Sequence, residues 1–183
     1  MGCIKATQTP IEGLYVIEPT IHKDDLGYFI ETYNLKDMAE AGLKATFVQD
    51  NQTMSIKGVL RGLHIQNKYP QEKLIRVIKG TVFDVAVDMR KNSLTYGQWF
   101  GIELSNENKK QFYISKGFAH GYYVTSDIAE LCYKVTDFWH TNDEIGIPWN
   151  DPTLAISWPI PKGTQPIMAE KDKHYSNLGR LFL

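Results

Sequence analysis

A histidine, a glutamate, two lysines and two arginines are gathered in Gly58-Val-Leu-Arg-Gly-Leu-His64-Ile-Gln and in the run Pro70-Gln-Glu-Lys73-Leu-Ile-Arg-Val-Ile-Lys-Gly that follows. They are spaced among β-branched and apolar residues, a pattern that reads as two short strands joined by the polar turn Asn67 to Pro70. Polar side chains that alternate with a buried face project together into whatever the sheet encloses, so His64 and Lys73 are candidate partners in one pocket. Taken singly, a satisfied buried histidine and a solvated surface lysine explain them equally well.

Histidine binds metals or moves protons near neutral pH, and the other ligands decide which. Three histidines fall in or beside strand and turn patterns: His64, His120 in Lys116-Gly-Phe-Ala-His-Gly, and His140 after Phe138-Trp139. A metal-binding jelly roll would need two histidines one residue apart, a glutamate shortly after and a third histidine on a distant strand. Here Gln66 stands in for one ligand and Lys73, next to Glu72, would repel a cation, so no metal is expected. Proton transfer instead needs a base, an acid and a group that stabilises negative charge. His64 is the candidate base, with a buried carboxylate required on its other ring nitrogen to fix the tautomer. Lys73 can hold an oxyanion as it develops. Tyr133, in Leu131-Cys-Tyr-Lys-Val-Thr, can serve as acid from the opposite face, although core packing with a satisfied hydroxyl is the commoner use of a strand tyrosine.

The elements that must position these groups are mostly strands. Leu14-Tyr-Val-Ile-Glu and Tyr28-Phe-Ile-Glu-Thr-Tyr, separated by the turn-like His22-Lys-Asp-Asp-Leu-Gly27, read as an opening hairpin. Asn34 as N-cap, the spacing of Leu35, Met38, Ala39 and Leu43, and Gly42 at the end predict one short helix. From Phe47 to Asp137 short strands alternate with turn signals at Ser55-Ile-Lys-Gly58, Lys79-Gly80, Arg90-Lys-Asn-Ser, Ser105-Asn-Glu-Asn and Ser115-Lys-Gly117. Seven or more strands at this spacing predict an all-β sandwich or barrel, most economically a jelly roll. After Trp139 the prolines at 148, 152, 159, 161 and 166 mark a loop-rich C-terminal segment, and long ordered loops in compact domains are often functional.

The 183 residues fit one domain spanning 1–183 with a sizeable core. A net charge of -1 without long runs of one sign argues against a nucleic-acid binder, so an anionic ligand must be met locally. No apolar run reaches the length of a membrane span, and the start has no apolar signal core and carries Ala6 where myristoylation would want Ser or Thr. Cys3 and Cys132 are the only cysteines; no disulfide framework is expected, and a reducing cytoplasm fits.

The order of motifs carries a more specific reading. Gln49-Asp-Asn51, Gly58-Val-Leu-Arg-Gly-Leu-His64, Pro70-Gln-Glu-Lys73, Val82-Phe-Asp-Val-Ala-Val-Asp88, Gly97-Gln-Trp, Gly117-Phe-Ala-His-Gly121, Tyr133-Lys-Val-Thr-Asp and Gly146-Ile-Pro-Trp-Asn-Asp-Pro152 together resemble the dTDP-4-dehydrorhamnose 3,5-epimerases, from Gly13 to Glu170-Lys-Asp172. The resemblance implies a cupin-like jelly-roll barrel, a homodimer with shared active sites, a dTDP-4-keto-6-deoxyglucose substrate and no metal or other cofactor. It implies that His64 is the base, oriented by Asp172, that Lys73 stabilises the C4 enolate and that Tyr133 is the acid. His120 would serve the pocket in sugar binding or in support of the base. Arg61, Gln49 and Asn51 match positions that meet the diphosphate and nearby groups. Phe29 and Glu31 match a segment that approaches the thymidine from the partner subunit, with Trp139 or Phe138 offering the facing aromatic surface. One departure stands out: Leu26 occupies the place of an arginine expected to neutralise the diphosphate, which implies weaker binding or compensation by Lys23 or another cation. The implied reaction is inversion at C3 and C5; a single-centre epimerase or ketoisomerase on a related sugar, or a non-catalytic nucleotide-sugar binder, would share much of the pattern.

Overall fold

The computed structural model describes residues 4–176. Alternating apolar and polar positions give thirteen strands: β1 (Ile4–Gln8), β2 (Leu14–Pro19), β3 (Ile21–Asp24), β4 (Gly27–Ile30), β5 (Gln49–Ile56), β6 (Leu60–Gln66), β7 (Lys73–Lys79), β8 (Thr81–Asp88), β9 (Trp99–Ser105), β10 (Gln111–Ile114), β11 (Phe118–Val124), β12 (Ile128–Val135) and β13 (Glu144–Gly146). A six-stranded sheet ordered β1-β2-β10-β7-β12-β5 packs on a five-stranded sheet ordered β13-β6-β11-β8-β9, with antiparallel pairing throughout. The chain is an all-β, cupin-like jelly-roll barrel. Leu14, Ile75, Phe112, Ile114 and Leu131 of the larger sheet meet Val82, Ala86, Leu104 and Tyr122 of the smaller one to fill one end of the interior. Both outer faces are covered as well. Helix α1 (Leu35–Glu40) and the loop after it lay Met38, Leu43 and Ala45 on Ile17, Leu74 and Tyr113, while the segment after β13 lays Ile147, Leu154, Ile156 and Trp158 over Leu63, Val85, Val87 and Ala119.

The helix forms as its cap predicts: the Asn34 side chain accepts from the backbone N–H groups of Lys36 and Asp37, and Gly42 ends it at φ +86. Two pairings differ from the sequence reading. The strand at Leu14–Pro19 pairs with β1 and β10, not with the segment after Gly27, because burying Leu14 and Ile17 requires neighbours in the large sheet. The predicted strand at Tyr28 begins as β4, but its partner is β3, which lies largely in the stretch read as a turn, and the two close on each other around Asp25 and Leu26. β6 and β7 are likewise not one hairpin. They belong to different sheets, so residues 67–72 carry the chain across the barrel mouth.

Among the described residues no helix is long and apolar enough to cross a membrane, and Cys132 is a free thiol; Cys3 lies outside the described residues.

Candidate active site

Strand register builds the site. On the inner face of the large sheet Gln49, Val135 and Lys73 form one row across β5, β12 and β7, and Asn51, Tyr133 and Ile75 form the next. On the small sheet Gly146, His64, His120 and Ala86 align across β13, β6, β11 and β8. These rows border a cavity of about 380 Å³ lined by His64, Lys73, His120, Tyr133 and Asp172, among others. His64 and Tyr133 therefore enter it from opposite sheets. Close approach of β6 and β11 depends on glycine. A Cβ on Gly62 would stand 2.6 Å from the Gly121 Cα, and one on Gly121 would stand 2.6 Å from the Arg61 carbonyl oxygen.

The C-terminal loop supplies the carboxylate that His64 requires. Ile167 bridges to Val59 in parallel, its carbonyl accepts from Leu60 N–H, and a 3₁₀ turn at Glu170–Lys173 then lowers Asp172 onto β6. Asp172 is 2 % exposed and its Oδ1 lies 2.8 Å from His64 Nε2. Burial pushes the Asp172 carboxyl up, but hydrogen bonds from His64, Gly62 N–H and Tyr175 outweigh it and hold the group below its ordinary value. An ionised carboxylate only accepts, so Nε2 carries the proton and Nδ1 keeps the lone pair.

A second pair stands beside the first: His120 Nε2 meets Asp84 Oδ1 at 2.8 Å, with Asp84 fully buried and its Oδ2 without a partner. Burial pushes His120 below the ordinary histidine range despite Asp84, which keeps the ring neutral near pH 7. Burial also lowers Lys73, opposed by the attraction of Asp84 and Glu144. Tyr133 is pushed up, chiefly by burial, so its phenol holds its proton at neutral pH. The cavity thus brings together an imidazole hydrogen-bonded to a buried carboxylate, a phenol that stays protonated at neutral pH and a buried lysine near Asp84 and Glu144.

The outer part of the cavity is polar. Arg61 Nε donates to Ser55 Oγ, Gln49 Nε2 donates to Asn51 Oδ1, and Trp139 N–H donates to Gln49 Oε1; all but Ser55 line the cavity. Phe29, Glu31 and Phe138 lie outside this chain's cavity. Phe29 is 66 % exposed on the hairpin, Glu31 accepts from Asn34 near the helix start, and Phe138 faces solvent. Several polar lining residues were given no site role by the sequence reading, which weighed Gln66 only as a replaced metal ligand. Glu144 and Lys171 form an ion pair at the rim, and the Gln66 and Gln71 amides tie the 66–71 segment to backbone carbonyls at 137–138. Lys171 adjoins the Asp172 that motif reading reached; β13, which carries Glu144, has only three residues and no periodicity to read. Among the described residues no three His, Cys, Asp or Glu side chains converge in a way that could hold a metal ion.

The family model described as dTDP-4-dehydrorhamnose 3,5-epimerase matches residues 8–179. A dTDP-4-dehydrorhamnose 3,5-epimerase of Methanothermobacter thermautotrophicus is 49% identical over 97% of this chain and 96% of its own length. The crystal structure of dTDP-6-deoxy-D-glucose-3,5-epimerase from Legionella pneumophila in complex with dTDP-4-keto-L-rhamnose superposes with a TM-score of 0.93 at 47% identity, covering 97% of this chain and 94% of that one. A more distant relative, a dTDP-4-dehydrorhamnose 3-epimerase of Streptomyces niveus, is 38% identical over 89% of this chain and 78% of its own.

Proposed function

The chain belongs to the dTDP-4-dehydrorhamnose 3,5-epimerase family, and from that membership we propose that it inverts C3 and C5 of dTDP-4-dehydro-6-deoxy-D-glucose to give dTDP-4-dehydro-L-rhamnose. The 4-keto group acidifies the hydrogens on both neighbouring carbons. His64, through Nδ1, takes a proton from one of them, and the C–H electron pair forms a C=C bond while the carbonyl electrons become the enolate oxygen. Lys73 stabilises that oxygen, an interaction stronger in the transition state than in the bound ketone. The enolate then collapses as the Tyr133 phenol protonates the carbon from the opposite face, and solvent restores both residues. Repeating the cycle at the second carbon uses the same base and the same cation.

The observation that carries this reading is the placement of His64 and Tyr133 on opposing sheets of one cavity, with Lys73 also lining it. His120, neutral and held by Asp84, would accept or donate at a sugar hydroxyl. Arg61, Gln49 and Asn51 would hold the diphosphate. Leu26, 97 % exposed at the hairpin tip, brings no charge. Lys171 on the cavity rim is the better-placed compensating cation than Lys23, which lies on the outlying hairpin. The exposed side chains of Leu26, Tyr28 and Phe29 favour a homodimer in which β3 and β4 enter the partner's cavity, bringing Phe29 and Glu31 to the nucleotide base opposite Trp139 or Phe138. Light scattering at micromolar concentration tests this; a monomer would remove it. We place the enzyme in the reducing cytoplasm, where Cys132 remains a thiol.

The reaction is tested by incubating the protein with dTDP-4-dehydro-6-deoxyglucose in deuterated water and following both carbons by NMR. Deuterium at C3 and C5 with an L-configured product supports the double epimerase. Label at one centre supports the single-centre reading, which the Streptomyces niveus relative favours. No label points to a binding protein.

A further inference from the structure

Behind the His64–Asp172 pair lies a side chain to which the mechanism above gives no task. We propose that Tyr175 is a positioning residue that shares the Asp172 carboxylate with His64 and thereby sets how strongly the pair takes up a proton. The proposal rests on His64 acting as the base.

Asp172 Oδ1 accepts two hydrogen bonds, from His64 Nε2 at 2.8 Å and from the Tyr175 hydroxyl at 3.0 Å, while Oδ2 accepts from Gly62 N–H at 3.3 Å. An oxygen divided between two donors is a weaker acceptor for each, so the phenol draws charge away from the imidazole's partner. The ring is fixed on two sides. Its plane meets the His64 ring edge-on, with centroids 5.9 Å apart at 83°. It also lies against Gly146, the register partner of His64 on β13, where an added Cβ would come within 2.1 Å of Cζ. A glycine at 146 is therefore required for Tyr175 to reach the carboxylate.

The charged and titratable groups around the His64–Asp172 pair are Tyr175 on the C-terminal loop, Glu144 on β13 with its partner Lys171, His120 on β11 opposite His64 with Asp84 behind it, and Lys73 on the facing wall of the cavity; none of them is altered by a change at Tyr175. Burial and the neighbouring Asp172 and Glu144 carboxylates push the phenol up, so Tyr175 stays a neutral donor across the working range. It moves no proton itself.

The test compares the full chain with Tyr175→Phe and Tyr175→Ala. Phenylalanine keeps the packing on His64 and Gly146 and removes only the hydroxyl. In that variant the acid limb of the substrate-exchange profile is expected to move up by roughly half to one pH unit, the equivalent of one hydrogen bond withdrawn from the carboxylate. The low-field ring N–H resonance of His64 should move further downfield in the substrate-free protein. Alanine also frees the ring's space and is expected to lower plateau exchange about tenfold, as a loosened base does. If Tyr175→Phe matches the parent in both acid limb and resonance, and only melting temperatures change, Tyr175 is a packing residue and the proposal is overturned. A parent chain that exchanges no substrate proton would remove the proposed reaction instead, and the resonance comparison would still decide the role of Tyr175.

Discussion

Replacing His64 with asparagine separates chemistry from folding most sharply. The asparagine amide ends where Nδ1 stood and falls short of Asp172, but that carboxylate keeps the Gly62 and Tyr175 hydrogen bonds, so it is not stranded. The stability cost is one charge-assisted hydrogen bond plus the edge contact with Tyr175, about 2 kcal/mol. For a chain of this length that lowers the melting temperature by about 4–8 °C. What is lost chemically is larger. A positioned general base contributes about 10²–10⁴ in rate, or about 2.7–5.4 kcal/mol of barrier, and an amide cannot supply it. Because one imidazole is assigned to both carbons, deuterium uptake at C3 and at C5 should fall by the same factor. The assay is single-turnover exchange in deuterated water, read carbon by carbon by NMR, alongside calorimetric melting. Normal exchange in the variant, or loss at one carbon with the other untouched, would refute the single-base argument; a collapse of the melting temperature would place His64 in the structure instead.

Tyr133→Phe removes the proposed proton donor of the large sheet while keeping its ring, so exchange should persist while the yield of inverted product falls at least tenfold, as read from coupling constants of the sugar. Lys73→Met takes away the cation proposed to stabilise the enolate and should lower exchange at both carbons about 10²–10³-fold, which steady-state kinetics would show. Because burial lowers Lys73, the alkaline limb of activity should fall at a pH below the ordinary lysine range, and a limb near pH 10.5 would contradict that environment. Away from the cavity, burial raises Asp88, but hydrogen bonds from Arg90, Ser93 and Thr95 prevail and hold it at about 2 from an ordinary 3.8. A depressed carboxyl stabilises the fold above its unfolded value and loses that contribution as pH falls from about 4 to about 2; Asp88→Asn should therefore remove about 2 kcal/mol at pH 7 and little at pH 2, measured by urea unfolding.

Much of the architecture was legible because it rests on short-range rules. Period-two alternation and turn residues place the strands, and Asn34 with Gly42 brackets helix α1, since capping and left-handed termination are local events. His64, Lys73 and Tyr133 could be singled out as a base, a cation and an acid from residue type and strand context. Motif resemblance then added Asp172, which no spacing rule would have tied to His64 108 positions earlier.

Pairing was not legible. Leu14–Pro19 and Tyr28–Tyr33 look like hairpin partners, yet a strand chooses neighbours that bury its apolar face, and for Leu14 and Ile17 those neighbours are β1 and β10. The same holds for residues 60–79: the polar link at Asn67 to Pro70 reads as a turn but crosses between sheets, and that crossing sets His64 and Lys73 on different walls of one cavity. The sequence by itself determined the strand content, the helix and the kinds of groups available for proton transfer, because propensity, capping and side-chain chemistry belong to individual residues. Only the tertiary structure decided that Asp172 and Tyr175 return beneath His64, that Asp84 lies beside His120 and near Lys73, and that His64 and Tyr133 face one cavity from opposite sheets, because contact across a barrel depends on sheet order and register rather than on distance along the chain.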